Sequence, residues 1–365
     1  MRTLLAIVLS LPLAAAAQTY QTQEQSFRVV KLVEGLDHPW SLAFLPDGRM
    51  LVTERSGKLY LLSPAFQKTE ISGVPKVVAS GQGGLLEVAL HPRFAENGFV
   101  YLSYAGEGDG GVSTELVRGK LEGNRLENVQ VLFRQLPKTR GRIHFGGRIV
   151  FDRAGILYLT LGERGEQDRA QKPDNHHGSV IRLNDDGSVP RDNPYVGKDG
   201  WRPEKLDLGH RNQQGAAFHP ATGLLWTHEH GPQGGDEINI IRAGTNYGWP
   251  VITYGVNYGI GTKIGEGTHK DGMAQPIHYW VPSIAPSGMA FYTGERFAKW
   301  KNNLFVGALR DRMLVRLVLE GEKVVHEERM LQGELGRIRD VRAGPDGYLY
   351  LLTDESDGVL ARLEP

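Results

Sequence analysis

The stretch "GRIHFGGRIVFD", Gly141 to Asp152, sets a titratable ring beside glycines just before an apolar, β-branched run. Such a run reads as a strand, so His144 lies in the loop that feeds it. Two readings of the ring are open. Glycines let the backbone bend and the histidine caps a turn, or the imidazole is a general base held on a loop by a rigid sheet. A second stretch, "LGHRNQQGAAF" from Leu208 to Phe218, places Arg211, Asn212 and Gln214 ahead of a strand. Arginine offers a planar fork of donors to carboxylate or quinone oxygens. A third, "GRIRDVRAGPDG" from Gly336 to Gly347, puts Arg337 and Arg339 on one face of an extended run, which suits an anion. Arg310 and Arg312 in "ALRDRML" read similarly. The alternative for each is a surface turn or a solvated strand face.

The densest polar segment is "THEHGPQGGDEINIIRAGTNYGWP", Thr227 to Pro250, where His228, Glu229, His230, Asp236 and Glu237 crowd together. The histidines are two apart and no helix is indicated, so this is no H-E-x-x-H zinc site. Glycines around Pro232 free backbone carbonyls, and carbonyls with carboxylates form a hard-oxygen set that suits calcium. A solvated acidic loop is the other reading. Gln82 stands just before a strand in "GQGGLLEVALHP", and Trp280 in "HYWVPSIAPSG" adjoins a proline-stiffened loop, as a stacking wall or as core. There is no G-x-S-x-G elbow and no Walker loop, and "GEGDGG" lacks the strand-to-helix context of a dinucleotide site.

The elements that must position these residues form a repeat. An apolar β-type run, a turn with Pro, Asp or Gly, and a second β-rich run recur from Ser41, Glu87, Arg148, Gly215, Gly288 and Asp340. The six copies stand roughly 45 to 75 residues apart, near the size of a propeller blade with variable loops. One hairpin cannot bury both faces, whereas six around an axis can. The expected fold is therefore all-β, a six-bladed β-propeller, with paired β-sandwiches as the lesser alternative. Long segments at Gly162–Val180, Asn184–Gly215, His228–Trp249 and Tyr254–Pro286 would gather at one end of the channel.

The 365 residues carry 42 Lys plus Arg against 42 Asp plus Glu, a balance that argues against nucleic-acid binding. "MRTLLAIVLSLPLAAAAQTY" has the charged start, short apolar stretch and small-residue site of a secretory signal peptide. The expectation is a leader over residues 1–17 and a single propeller domain over 18–365, exported to the periplasm or medium. No later stretch is long and apolar enough to span a membrane. Cysteine is absent, so neither disulfides nor thiolate chemistry contribute.

Taken together, "HFGGR", "HRNQQG", "EHGPQGGDE", "NYGWP", "APSGMAFY", "GRIRDV" and "GPDGYLYLLTD" resemble the soluble, calcium- and PQQ-dependent glucose/aldose sugar dehydrogenases, six-bladed propellers of the bacterial periplasm. The motifs cover essentially the whole mature chain in family order, nearer the aldose sugar dehydrogenase branch. The resemblance implies oxidation of an aldose at its anomeric carbon to a lactone, with electrons passed to an external acceptor. It implies His144 as general base, Glu163 as the carboxylate orienting it (aspartate in the glucose dehydrogenase branch), and Arg211 at the reactive quinone oxygen. Asn212 and Gln214 follow in the same motif. Arg337 and Arg339 match the holders of PQQ carboxylates, and Arg310 matches a cationic residue with a similar task. Gln82 matches a residue near cofactor and sugar, and Trp280 an aromatic near the sugar. Carbonyls of Gly231 and Pro232 match ligands of the cofactor's calcium; Glu237 and the Tyr247 backbone match a second calcium site. The glycines after His144 are expected to let backbone approach the flat cofactor. Gln213 departs from the family, which has proline there, and alters local rigidity more than chemistry. The expected partners are small aldose sugars, and the expected state is a monomer or a homodimer. Rival readings are a calcium-dependent propeller lactonase, in which the arginines have no task, and a non-catalytic propeller.

Overall fold

A computed structural model describes residues 18–365, and the expected leader lies outside the described residues. Strands dominate, in six antiparallel sheets set in a ring: a six-bladed β-propeller. The first blade runs Pro39–Phe44, Met50–Glu54, Lys58–Leu62 and Lys68–Ile71, and the second from Leu85–Leu90 to Arg125–Arg134. The third has three strands, Gly146–Phe151, Leu157–Leu161 and Ser179–Leu183. The fourth comprises Gln213–Phe218, Leu225–Glu229, Asp236–Ile241 and His278–Trp280. The fifth runs from Pro286–Phe291 to Lys323–Met330. The sixth combines Ile338–Ala343, Leu349–Thr353 and Gly358–Glu364 with Ser26–Leu36 and Thr19–Gln21 from the N-terminus.

The six hairpins read from the sequence are the first two strands of each blade. The outer strands are less regular in pattern because one face meets solvent. The final blade is completed by the start of the chain, where Arg28 pairs with Glu364 and Val30 with Arg362. This closure ties the two ends of the ring together and covers a strand edge that would otherwise be open.

Blades are held to one another by apolar layers. Leu51, Leu59, Val88 and Leu102 fill the space between the first two blades, and Trp226, Ile238, Met289 and Val306 that between the fourth and fifth. Leu42, Val52, Tyr350 and Leu360 seal the sixth against the first. Each buried aliphatic side chain contributes about 1.5–3 kcal/mol relative to an exposed one. At the axis, where the inner strands converge, charged groups meet instead. Arg148 lies 2.8 Å from Glu87 and 2.9 Å from Asp340, and Arg342 lies 2.8 Å from Asp340 and also bonds Glu87.

Candidate functional site

In every blade the innermost strand begins at the same end of the ring, and the second strand, antiparallel to it, ends there. The segments before each first strand and after each second strand therefore meet at one mouth. Backbone bonds tie them together: Glu163 N–H to Arg211 C=O at 2.9 Å, His230 to Asn212 at 3.1 Å, Arg310 to Ile284 at 3.2 Å and Asp354 to Arg337 at 2.7 Å. Residues remote in sequence become neighbours by this rule alone.

His144 precedes the inner strand of the third blade and is 7% exposed. Its Nδ1 lies 2.7 Å from Glu163 Oε1. An ionised carboxylate only accepts, so Nδ1 carries the proton and Nε2 is left bare. Gln82 Oε1 accepts the His144 backbone N–H at 2.7 Å. Burial pushes the imidazole below its ordinary pKa. The Glu163 hydrogen bond opposes this, and the charges of Arg211 and Arg164 add to the lowering. The ring is thus held neutral.

The glycines after His144 are demanded by the protein's own backbone packing. A Cβ on Gly146 would sit 2.6 Å from Thr160 C=O, and one on Gly147 would sit 2.7 Å from Leu86. Both residues have positive φ, 63° and 104°. They are glycine because the strand entry packs against its own blade and its neighbour. The close approach that shapes the site comes from Gly162, where a Cβ would lie 1.9 Å from His144 C=O.

The expected cation set is largely assembled. Arg339 donates to Gln214 Oε1 at 2.9 Å and to Asp354 at 2.8 Å. Gln214 donates to Asn212 Oδ1 at 3.3 Å, which also accepts Gly146 N–H at 3.1 Å. A chain of polar contacts therefore runs from Arg339 to the His144 loop. Arg337 also reaches Asp354, at 3.3 Å, and the Leu309 carbonyl. Arg211, 7% exposed, donates to His230 C=O at 3.0 Å and lies over Trp249. Arg310 stands at the rim with its side chain 58% exposed, bonded to the Ser283 carbonyl. Buried Arg339 Nε and Asn212 Nδ2 have no partner among the described residues. Donors of this kind fit a flat polycarboxylate quinone.

Beside Arg211 a small cavity is lined by Glu229, His230, Gly231, Glu237, Tyr247 and Trp249. The carbonyls of Gly231 and Pro232 accept no hydrogen bond among the described residues. Burial raises the Glu237 carboxyl to about 8, and the neighbouring Glu229 charge adds to this. A carboxylate whose charge is disfavoured by burial and by a neighbouring carboxylate, with free carbonyls, suits a cation. No cluster of three or more His, Cys, Asp or Glu poised for a metal occurs among the described residues. Asp236 is spent on structure, accepting the backbone N–H groups of Gly231, Ile284 and Ala285 and the Ser283 hydroxyl.

The Trp280 side chain does not face the mouth. It is 3% exposed, packs between the fourth and fifth blades, and donates its indole N–H to Glu327 at 2.9 Å. Alternation along the short outer strand turns it inward and leaves Tyr279 exposed, stacked on Tyr254 with ring centroids 3.8 Å apart. Sequence reasoning missed His210, one residue before Arg211. It is wholly buried between Glu229 at 2.6 Å and Asp207 at 3.3 Å. Burial would lower its pKa, but the two carboxylates outweigh that and raise it to about 10. Its place in "GHRN" was the available signal.

A family model described as Glucose / Sorbosone dehydrogenase matches residues 36–362. The chain is 45% identical over 361 residues to "Aldose sugar dehydrogenase YliI" of Escherichia coli (strain K12), covering 97% of each. The crystal structure of the soluble aldose sugar dehydrogenase from Escherichia coli in the apo-form superposes with a TM-score of 0.91 at 46% identity, over 93% of this chain and 99% of that one. The PQQ-bound form of aldose sugar dehydrogenase from Streptomyces coelicolor gives 0.77 at 31% identity, over 93% and 98%.

Proposed function

The chain belongs to the glucose/sorbosone dehydrogenase family, and we propose that it is a PQQ-dependent sugar dehydrogenase whose proton acceptor is His144. The observation that carries this reading is the His144–Glu163 pair set beside arginines with unfilled hydrogen-bonding capacity. When bound, PQQ supplies a quinone that takes up a hydride, and calcium polarises it. Arg211 would face its reactive oxygen, Arg337, Arg339 and Arg310 its carboxylates, and Asn212, Gln214 and Gln82 its remaining edge. Gly231 and Pro232 would offer carbonyls to the cofactor's calcium, and Glu237 with the Tyr247 backbone would hold a second ion.

The chain's own contribution to the reaction is a proton acceptor. Glu163 keeps the Nδ1 proton in place, and Nε2 takes the proton of the sugar's anomeric hydroxyl as the C–H bond breaks. Burial and two arginine charges keep the imidazole unprotonated near neutral pH. The product is a lactone and the electrons pass to an external acceptor. The reading extends to a cleaved leader over residues 1–17, one propeller domain over 18–365, a periplasmic location, and action as a monomer or homodimer.

Dye-linked aldose oxidation by the purified chain, with and without PQQ plus calcium, tests it. Activity should require both additions and fall about 10²- to 10⁴-fold in His144→Ala. Lactone hydrolysis with calcium alone, or no PQQ-dependent turnover of any aldose, would sink the proposal.

A further inference from the structure

Arg164 follows Glu163 directly and is almost wholly buried, at 1% exposure. An arginine so placed normally meets a carboxylate. This one donates instead to the backbone carbonyls of Ile143 and Gly141, which come just before His144, and to that of Val112 at 3.2 Å. Its guanidinium carbon lies over the Phe145 ring, 3.4 Å from the centroid, on the other side of His144 in sequence. Glu163 and Glu166 influence its charge without forming an ion pair among the described residues. Both His144 and Arg164 adopt left-handed backbone conformations, with φ of 56° and 65°. Non-glycine residues hold that conformation only when their surroundings impose it.

We infer that Arg164 is a positioning residue for His144: its fork fixes the loop on both sides of the base while Glu163 fixes the ring. This rests on the reading of His144 as the proton acceptor. The geometry explains why arginine is used. Two carbonyls of one short loop and a third from the second blade need a planar, multi-donor head, and a lysine ammonium cannot stack on Phe145 in the same way. The charge adds a second effect. Glu163, Arg211 and Arg164 are the ionisable groups that act most strongly on the imidazole, and Arg164 helps to hold it neutral.

The test uses Arg164→Met, which removes fork and charge, and Arg164→Lys, which keeps the charge. The His144 titration midpoint is read by NMR on the histidine-labelled chain without PQQ, with His144→Ala to assign the resonance. Steady-state kinetics are read on the PQQ- and calcium-loaded enzyme. Arg164→Met should raise the midpoint and lower kcat roughly 10- to 100-fold, with PQQ affinity and sugar KM within about twofold of wild type. Arg164→Lys should leave the midpoint near wild type yet lose kcat, because the loop is no longer gripped. An unchanged midpoint in Arg164→Met, or a kcat loss that merely follows lost PQQ binding or melting temperature, overturns the inference. Should Arg164→Met fail to fold, full activity in a folded Arg164→Lys overturns the fork's role. Full activity in His144→Ala would instead remove the base assignment, while the midpoint would still report on Arg164.

Discussion

Arginines occupy both the axis of this propeller and its mouth, and their partners differ. At the axis Arg148 and Arg342 are each shared between Glu87 and Asp340, and Arg148 also donates to the carbonyls of Gln214 and Arg339. Every charge there is answered by another charge of the protein. At the mouth, among the described residues, Arg211 meets a carbonyl and the Trp249 ring but no carboxylate, Arg310 a carbonyl and a distant Asp311, and Arg337 and Arg339 share one carboxylate. Closed charge sets hold the ring together, whereas open ones are available to an anion. Residue type does not distinguish them; partner count does.

Arg148→Met breaks the closed set and leaves Glu87 and Asp340 buried without it. Denaturant unfolding should show a loss of about 3–5 kcal/mol. A loss below about 1 kcal/mol would mean that the axis is not electrostatically closed. Arg211→Met should behave in the opposite way. Unfolding free energy should fall by only about 1 kcal/mol with the His230 hydrogen bond, while kcat of the loaded enzyme falls about 10²- to 10³-fold, equivalent to about 3–4 kcal/mol.

Asp354 tests the boundary between the two sets. Burial would raise its pKa, but Arg339, Arg55 and Arg337 overcome this and hold the carboxyl well below its ordinary value. A depressed folded-state pKa gives stabilisation that is present above the unfolded value and lost as pH falls toward the folded one. Asp354→Asn should therefore cost about 2 kcal/mol at pH 7. Wild type and variant should converge as pH drops from about 4 toward 2. Parallel stability curves over that range would show that Asp354 does not carry this linkage. The smallest effect is expected at Trp280. Trp280→Phe should lose about 1 kcal/mol with the Glu327 hydrogen bond and leave sugar KM unchanged. A raised KM at full stability would return Trp280 to the sugar site.

The sequence by itself determined the blade count and several of the polar residues that the structure gathers at the mouth. Six similar hairpins with β-type runs and turn residues favour a closed ring over paired sandwiches, because no single hairpin buries both its faces. His144, Arg211, Arg337 and Arg339 were legible because each stands immediately before or within an inner strand, where local pattern identifies the element. The tertiary structure decided what depends on two segments meeting. Trp280 faces the interblade core rather than the mouth because a short outer strand alternates its faces. The glycines after His144 are required by backbone packing against their own blade and its neighbour. His210 lies between Glu229 and Asp207, and Arg164 is spent on carbonyls around His144. Local sequence governs how a strand begins and turns; which charges find partners depends on blades that are adjacent only after the ring closes.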